Sequence, residues 1–300
     1  DLVSISSLGF RGEALPSIAA VAQVDMVTCA ADERIGTYLS LRDGVIASQG
    51  SQGRSQGTTV TVRNLFRKIP ARLKFLKSVA TENSHIANVV SQYALAFPEV
   101  KFSLFIDGRV GLRTPGSGRL IDNIVAVYGV EIADSMVEIK GTTVAGMVSP
   151  PRVSRSGWGY LSFFVNRRWV NSRLLARAVE EAYHGLLMTG KHPIAVINIS
   201  LPAQEVDVNI HPTKSEVKFS NEHAVFSAVH RAVRQALAEQ MPVPQVEAVA
   251  KEPVFPSPPR QAILTPITDT GWSPPPSPPT PAVSLPVLRV MGQLDNNYII

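Results

Sequence analysis

Apolar residues recur at helical spacing at Ala14, Leu15, Ile18, Val21 and Ala22, just after Gly12. Positions three and four apart share one face of a helix, so this stretch predicts an amphipathic helix. The period then changes. Residues 24–30 form a short apolar run, residues 37–41 and 45–49 flank an Asp43-Gly44 turn, and residues 58–62 alternate polar and apolar with β-branched side chains. Together they predict an antiparallel sheet. Helical spacing returns at Ile86, Val89, Val90, Tyr93 and Phe97, and Pro98 ends it.

Two further strands are expected at 102–106 and 110–112, around Asp107-Gly108, before the loop Thr114-Pro115-Gly116-Ser117-Gly118. A domain boundary is placed there. The second part opens with a helix over 120–128 ended by Gly129. Strands follow at 136–139, 144–148, 161–166, 194–201 and 206–210, with helices at 174–187 and 224–241. This is an α+β pattern, expected to carry its helices on one face of a sheet. From 242 to 286 the chain turns to proline, serine and threonine. Its low apolar density predicts a disordered, extended tether. Residues 287–300 become apolar again and predict entry into a further domain. The expected organisation is therefore 1–114, 115–241, a linker over 242–286, and 287–300.

Composition narrows the function. The 300 residues are 45% hydrophobic and 18% charged, enough apolar surface for two ordinary cores. The greasiest segment, 192–202, is interrupted by Asn198 and Ser200, short of the ~20 apolar residues that cross a bilayer. No basic leader precedes an apolar run, so cytoplasmic residence and no membrane association are expected. The lone Cys29 excludes an internal disulfide and a multi-cysteine metal site, and is read as core packing. Asp1 opens inside a loop rather than at a methionine, so the chain reads as a fragment truncated at its amino terminus.

The net charge of +5 is unevenly spread. Arg63, Arg67, Lys68, Arg72, Lys74 and Lys77 occur with no acid among them, and a second stretch holds Arg152, Arg155, Arg167, Arg168, Arg173 and Arg177. Such unevenness suits a polyanion partner, though a solvated surface has the same signature.

Three local features could carry chemistry. In Leu8-Gly9-Phe10-Arg11-Gly12-Glu13-Ala14-Leu15, glycines bracket a bulky pair just before a helix, where exposed amides can cradle phosphate. Gly57-Thr58-Thr59-Val60 places hydroxyls at a strand start, and His211-Pro212-Thr213-Lys214 holds a lysine at a rigid loop tip, suited to a terminal phosphate. Taken singly, each also reads as an ordinary turn or solvated loop.

Their order is more specific. Leu8 to Leu15, then Gly57-Thr58, Asn64-Leu65-Phe66 and Pro70-Ala71-Arg72-Leu73-Lys74-Phe75-Leu76, then Phe164-Val165-Asn166-Arg167-Arg168, and finally the run from Val206 to Val217, resemble the MutL/HexB family of DNA mismatch-repair proteins. Met291-Gly292-Gln293 with Tyr298-Ile299-Ile300 resembles the opening of that family's dimerisation domain. The resemblance implies the back part of a GHKL-type ATPase α/β sandwich over 1–114 and a ribosomal protein S5 domain 2-like domain over 115–241.

The same resemblance implies ATP with Mg2+ as cofactor. Gly9, Phe10, Arg11 and Gly12 would meet the phosphates, Thr58 would match a nucleotide-site threonine, and Lys214 would reach the γ-phosphate. It implies a DNA contact at Arg173, with Arg167, Arg168 and Arg177 beside it, and a slow ATPase that works as a homodimer. Its partners would be DNA, MutS and a downstream nuclease or helicase. The family's general base and magnesium asparagine would precede Asp1, so this stretch by itself is expected not to hydrolyse ATP. Asn166-Arg167-Arg168 stands where the family commonly has Asn-Gly-Arg, so the turn must form without that glycine. Two rivals are a nucleotide-independent basic DNA-binding scaffold and a type II topoisomerase ATPase subunit, and the latter lacks the Phe-Arg-Gly-Glu-Ala-Leu string.

Overall fold

The computed structural model describes Gly9, residues 12–207 and 217–240, and the short strands at 293–294 and 298–299. The chain divides into units 1–244 and 245–300. In the second, β16 (Gln293–Leu294) and β17 (Tyr298–Ile299) pair antiparallel. The expected linker lies outside the described residues, as do the ends of the strand and helix expected at 206–210 and 224–241.

The first unit opens with α1 (Ala14–Ala19), followed by β1 (Gln23–Cys29), β2 (Gly36–Arg42), β3 (Val45–Gln52) and β4 (Gly57–Arg63). These four strands form the expected antiparallel sheet, in the order β3-β2-β1-β4. The β2–β3 turn carries Asp43 at φ 56° and Gly44 at φ 78°, the left-handed pair that lets a tight hairpin follow strand twist. Directly paired residues share a face. Val24 therefore lies with Leu41 and Val62, and Met26 with Leu39 and Val60, on an apolar face. Val24 is buried there, whereas Val60 and Val62 are exposed.

On the opposite face Asp25 accepts from Ser40 Oγ at 2.7 Å, from Arg42 at 2.9 Å and from Arg63 at 2.6 Å. The Ser40 hydroxyl, and then the Arg42 and Arg63 guanidinia, hold the Asp25 carboxyl below its ordinary range. Cys29 is buried, as expected.

Next come α2 (Pro70–Leu73) and α3 (Val79–Ala96). α3 starts seven residues before the apolar spacing becomes regular. Ser78 caps it by accepting from Thr81 N at 3.3 Å, and Glu82 occupies the first turn, where the helix dipole favours an acid. Strands β5 (Ser103–Ile106) and β6 (Arg109–Arg113) form the expected hairpin.

Then follow α4 (Leu120–Tyr128), α5 (Val130–Ala133), β7 (Val137–Ile139), β8 (Val144–Val148), β9 (Ser154–Arg155), β10 (Leu161–Val165), β11 (Arg168–Val170), α6 (Arg173–Ala182), β12 (His192–Pro193), β13 (Ala195–Ile199), β14 (Val206–Asp207), β15 (Lys218–Phe219) and α7 (Glu222–Gln240). Five of these strands make a mixed sheet, β11-β10-β13-β8-β7, in which β10 and β13 run parallel and the other pairs antiparallel.

Helices cover both faces of this sheet, not one as the sequence suggested. Phe163, Val165, Ile197 and Val148 point to a core with α6 and α7. Their neighbours Phe164 and Val196 point the other way, to Leu95 and Ala96 of α3 and Ile124 of α4. Strands buried on both faces lose the polar alternation that would have revealed this. Helix α6 also stops at Ala182 rather than 187. Tyr183 is fully buried there and donates to Ser149 O, which draws the chain out of the helix. Among the described residues no helix is long and apolar enough to cross a membrane.

Candidate functional site

Helix α6 is amphipathic in a way that sets the site. Leu175, Ala178, Val179 and Ala182 are buried against the five-stranded sheet. Arg173 and Arg177, one turn apart, are left exposed on the outer face. The helix start is fixed by Ser172, whose hydroxyl accepts from Leu175 N at 3.4 Å. Neither guanidinium forms an ion pair with a described residue.

Beside these arginines, at the edge of the sheet beyond β11, lies a cleft of about 820 Å3 between α3, the β10–β11 hairpin and α6. Trp158, Trp169 and Gln92 line it, together with Arg173, Arg177 and Glu180. At its rim the Glu180 carboxylate meets His192 Nδ1 at 2.7 Å, and the Trp158 ring rests on the His192 ring at a centroid distance of 4.5 Å. The sequence reading singled out Arg173 and Arg177, which line this cleft, and did not single out either tryptophan or Gln92. Isolated aromatics and amides carry no periodic signal, and only the convergence of three elements makes them neighbours.

The β10–β11 hairpin makes its turn without the glycine. Asn166 at φ 49° and Arg167 at φ 65° supply both left-handed positions of a two-residue turn. Asparagine tolerates that conformation, but arginine is strained in it. The compensation is visible. Asn198 Oδ1 accepts from Arg167 N at 3.0 Å, and the Arg167 guanidinium donates to Ala96 O at 3.0 Å and to both Glu99 oxygens, at 2.5 and 2.6 Å. It also sits 4.2 Å from the centre of the Phe97 ring. The Arg167 hydrogen bond holds the Glu99 carboxyl below its usual range. Arg168 is half-buried, and desolvation lowers its pKa.

The residues expected around a nucleotide are described in part. Gly9 is exposed, and Gly12 adopts φ 65° with open space where a side chain would stand. Thr58 is exposed on β4, on the same face as Val60, its Oγ1 2.8 Å from that of Thr28. Phe10, Arg11 and Lys214 lie outside the described residues, so their convergence on Thr58 is not seen. Part of the first basic stretch is engaged within the molecule: Arg63 with Asp25, Lys68 with Asp43 at 2.6 Å, and Arg72 over the Phe66 ring.

A family model described as "DNA mismatch repair protein, C-terminal domain" matches residues 124–238, the span that holds α6 and the cleft walls other than α3. The DNA mismatch repair protein MutL of Desulforudis audaxviator is 45% identical over 251 residues, 82% of this chain and 44% of its own length. The chain belongs to the MutL family of DNA mismatch-repair proteins. MutL of Streptococcus thermophilus is 43% identical over 256 residues, 84% of this chain and 40% of its own. The chain thus spans less than half the length of these MutL relatives.

Among solved structures, the N-terminal domain of a DNA repair protein superposes with a TM-score of 0.67 and 26% identity, covering 79% of this chain and 78% of the other. The MutL ATPase domain of Aquifex aeolicus complexed with ADP gives 0.55 and 23%, covering 77% and 78%. The mixed helix-and-sheet architecture accordingly resembles the fold of MutL ATPase domains.

Proposed function

We propose that the chain forms the DNA-holding, nucleotide-switched part of a mismatch-repair matchmaker. ATP binding would close a homodimer, and the closed form would couple mismatch recognition by MutS to a downstream nuclease or helicase. The observation that carries the DNA reading is the pair Arg173 and Arg177, exposed one turn apart and without an ion pair among the described residues. Free guanidinia on a rigid helix suit sequence-independent phosphate contact, which a protein acting on any mismatched duplex requires. Arg167 and Arg168 contribute mainly field, because Arg167 already donates to Glu99 and Ala96 and Arg168 is half-buried.

For the nucleotide, the support is family membership and the ADP bound by the Aquifex aeolicus relative. The open space beside Gly12 and the exposed Thr58 hydroxyl fit phosphate and ribose contacts, with Gly9, Phe10, Arg11 and Lys214 completing the group in this reading. Among the described residues no cluster of three or more His, Cys, Asp or Glu could cage Mg2+. Mg2+ in a nucleotide site is held by one or two side chains with the phosphates and water, and in this reading that side chain is the asparagine expected before Asp1. Slow ATP hydrolysis belongs to the whole protein in this reading. So do cytoplasmic residence and the division into 1–114, 115–241, a linker over 242–286, and a dimerisation segment from 287.

The test is duplex-DNA affinity of the full-length protein at two salt concentrations, with and without ATP. Arg173→Ala should weaken binding and flatten the slope of log affinity against log salt by about 1. Lys214→Ala should leave DNA affinity intact while abolishing the ATP response. If DNA binding depends on Arg173 but no ATP response exists to lose, the nucleotide-independent basic scaffold replaces the switch.

A further inference from the structure

We infer that the cleft beside α6 takes one unstacked nucleobase from a DNA strand, its neighbouring phosphates held by Arg173 and Arg177. The inference rests on the DNA reading above and names what that surface grips. Three observations converge on it.

First, the cleft is aromatic where a base would enter. Trp158 and Trp169 both line it, and Trp158 is 56% exposed. An exposed indole whose ring lies 4.5 Å from the His192 ring, the two planes tilted by 36°, offers a stacking surface. Second, one lining residue, Gln92, carries an unmet acceptor with almost no exposed surface of its own, which a base would meet by the amide turning into the cleft. Gln92 is 4% exposed, and its Oε1 has no partner among the described residues, while Nε2 reaches Asn88 Oδ1 only at 3.5 Å. A buried acceptor without a donor is costly, and each base offers an N–H on its pairing edge. Third, the charge is arranged for a strand rather than for a neutral ligand. Both rim guanidinia lack ion pairs among the described residues, and the one rim carboxylate, Glu180, is met by His192. An unstacked base exposes its π-face and pairing edge together, and only a frayed, mismatched or single strand supplies it cheaply.

The experiment uses the 300-residue chain and fluorescence anisotropy with a single strand of about a dozen deoxyadenosines, an abasic strand of equal length, a duplex and free dAMP. Tryptophan emission is followed in parallel, since two of the three tryptophans line the cleft. Wild type should prefer the base-bearing strand, and Trp158→Ala should remove about ten-fold of that affinity while sparing the abasic strand. Gln92→Met, which keeps shape and removes the acceptor, should also narrow the preference for bases without touching a rim residue. It keeps the test open if the tryptophan variant misfolds.

Arg173→Ala should weaken both strands alike. Equal binding of both strands by wild type, unchanged in Trp158→Ala and Gln92→Met, overturns the base pocket; a surviving Arg173 effect then leaves the DNA reading intact. Loss of the Arg173 effect as well overturns that reading too. If dAMP quenches the cleft tryptophans and displaces the strand at equal concentration, the cleft is a mononucleotide site and strand binding is refuted.

Discussion

The sheet that carries α6 depends on a glycine whose replacement has a calculable cost. Gly146 lies in β8, paired on one side with Ile197 of β13 and on the other with Ile139 of β7. Its φ is 149°, and a Cβ built there would stand 2.0 Å from the Val196 carbonyl oxygen and 3.0 Å from Ile197 Cα. Real Cβ atoms essentially never come closer than 3.0 Å, so Gly146→Ala demands a shift of at least 3.0 − 2.0 = 1.0 Å between two interior strands. The obstacle is backbone rather than a flexible side-chain tip, and β8 is held on both edges. Two strained ladder hydrogen bonds at about 1 kcal/mol each, plus about 1 kcal/mol for an L-residue at this φ, give a loss of roughly 3 kcal/mol or more. For a unit of this size that lowers the unfolding midpoint by about 6–12 °C. Urea unfolding followed by circular dichroism measures it, with Gly157→Ala as control. Gly157 has φ −137° and nothing within 4 Å of an added Cβ, so its variant should stay within about 0.5 kcal/mol of wild type. A Gly146→Ala protein within about 1 kcal/mol of wild type would refute the contact argument.

Four other outcomes are expected. Tyr183→Phe removes the fully buried hydroxyl that donates to Ser149 O and should cost about 1–3 kcal/mol in the same urea assay. Asp25 and Glu99 have folded-state pKa values below their ordinary ones, so their contribution is complete above the unfolded values. It is lost as pH falls through the folded ones: stability should decline below about pH 4, and less so in Glu99→Gln. Arg167→Gly relieves about 1 kcal/mol of left-handed strain but forfeits an exposed ion pair, a cation–π contact and the hydrogen bond to Ala96 O, together about 1–2 kcal/mol. Its stability should therefore change by under about 1 kcal/mol, whereas Arg167→Ala, which keeps the strain, should lose more. Cys29, 5% exposed, should react with a thiol reagent only after denaturant is added.

Much of this fold was legible because its punctuation is local. Asp43-Gly44 and Asp107-Gly108 are turns whose chemistry lies in the two residues themselves, and both hairpins form where expected. Pro98 likewise marks the end of α3 after Phe97. What failed depended on tertiary context. Strand β11 is three residues of an Arg-Trp-Val sequence with no alternation to read, defined only by its register against Phe163 and Phe164. The end of α6 is set by Tyr183 reaching Ser149, 34 residues earlier in sequence, which no periodicity reports. The site divides in the same way. Arg173 was expected at a DNA surface from its place in the family resemblance, whereas Gln92 belongs to a helix more than sixty residues before Trp158 and joins the cleft only through packing.

Arg167 links these levels. The residue at the second left-handed position of the β10–β11 turn would be least strained as glycine, and here it is arginine. Its side chain spans from the turn to the carboxyl end of α3, gripping Ala96 O and Glu99 and lying over Phe97. α3 supplies Gln92 to the cleft, the hairpin supplies Trp169, and α6 follows the hairpin directly with Arg173. The spacing between the walls of the cleft is thus set partly by a fastener that itself costs backbone strain. A glycine at this position would make a looser but less strained joint. Arginine accepts the strain and ties the helix carrying the buried amide to the strand carrying the aromatic wall. In the proposed strand-binding role, walls that do not shift would favour holding a charged, flexible strand against salt competition. The departure from Asn-Gly-Arg therefore weakens the turn locally and strengthens the connection between the two elements on either side of the cleft.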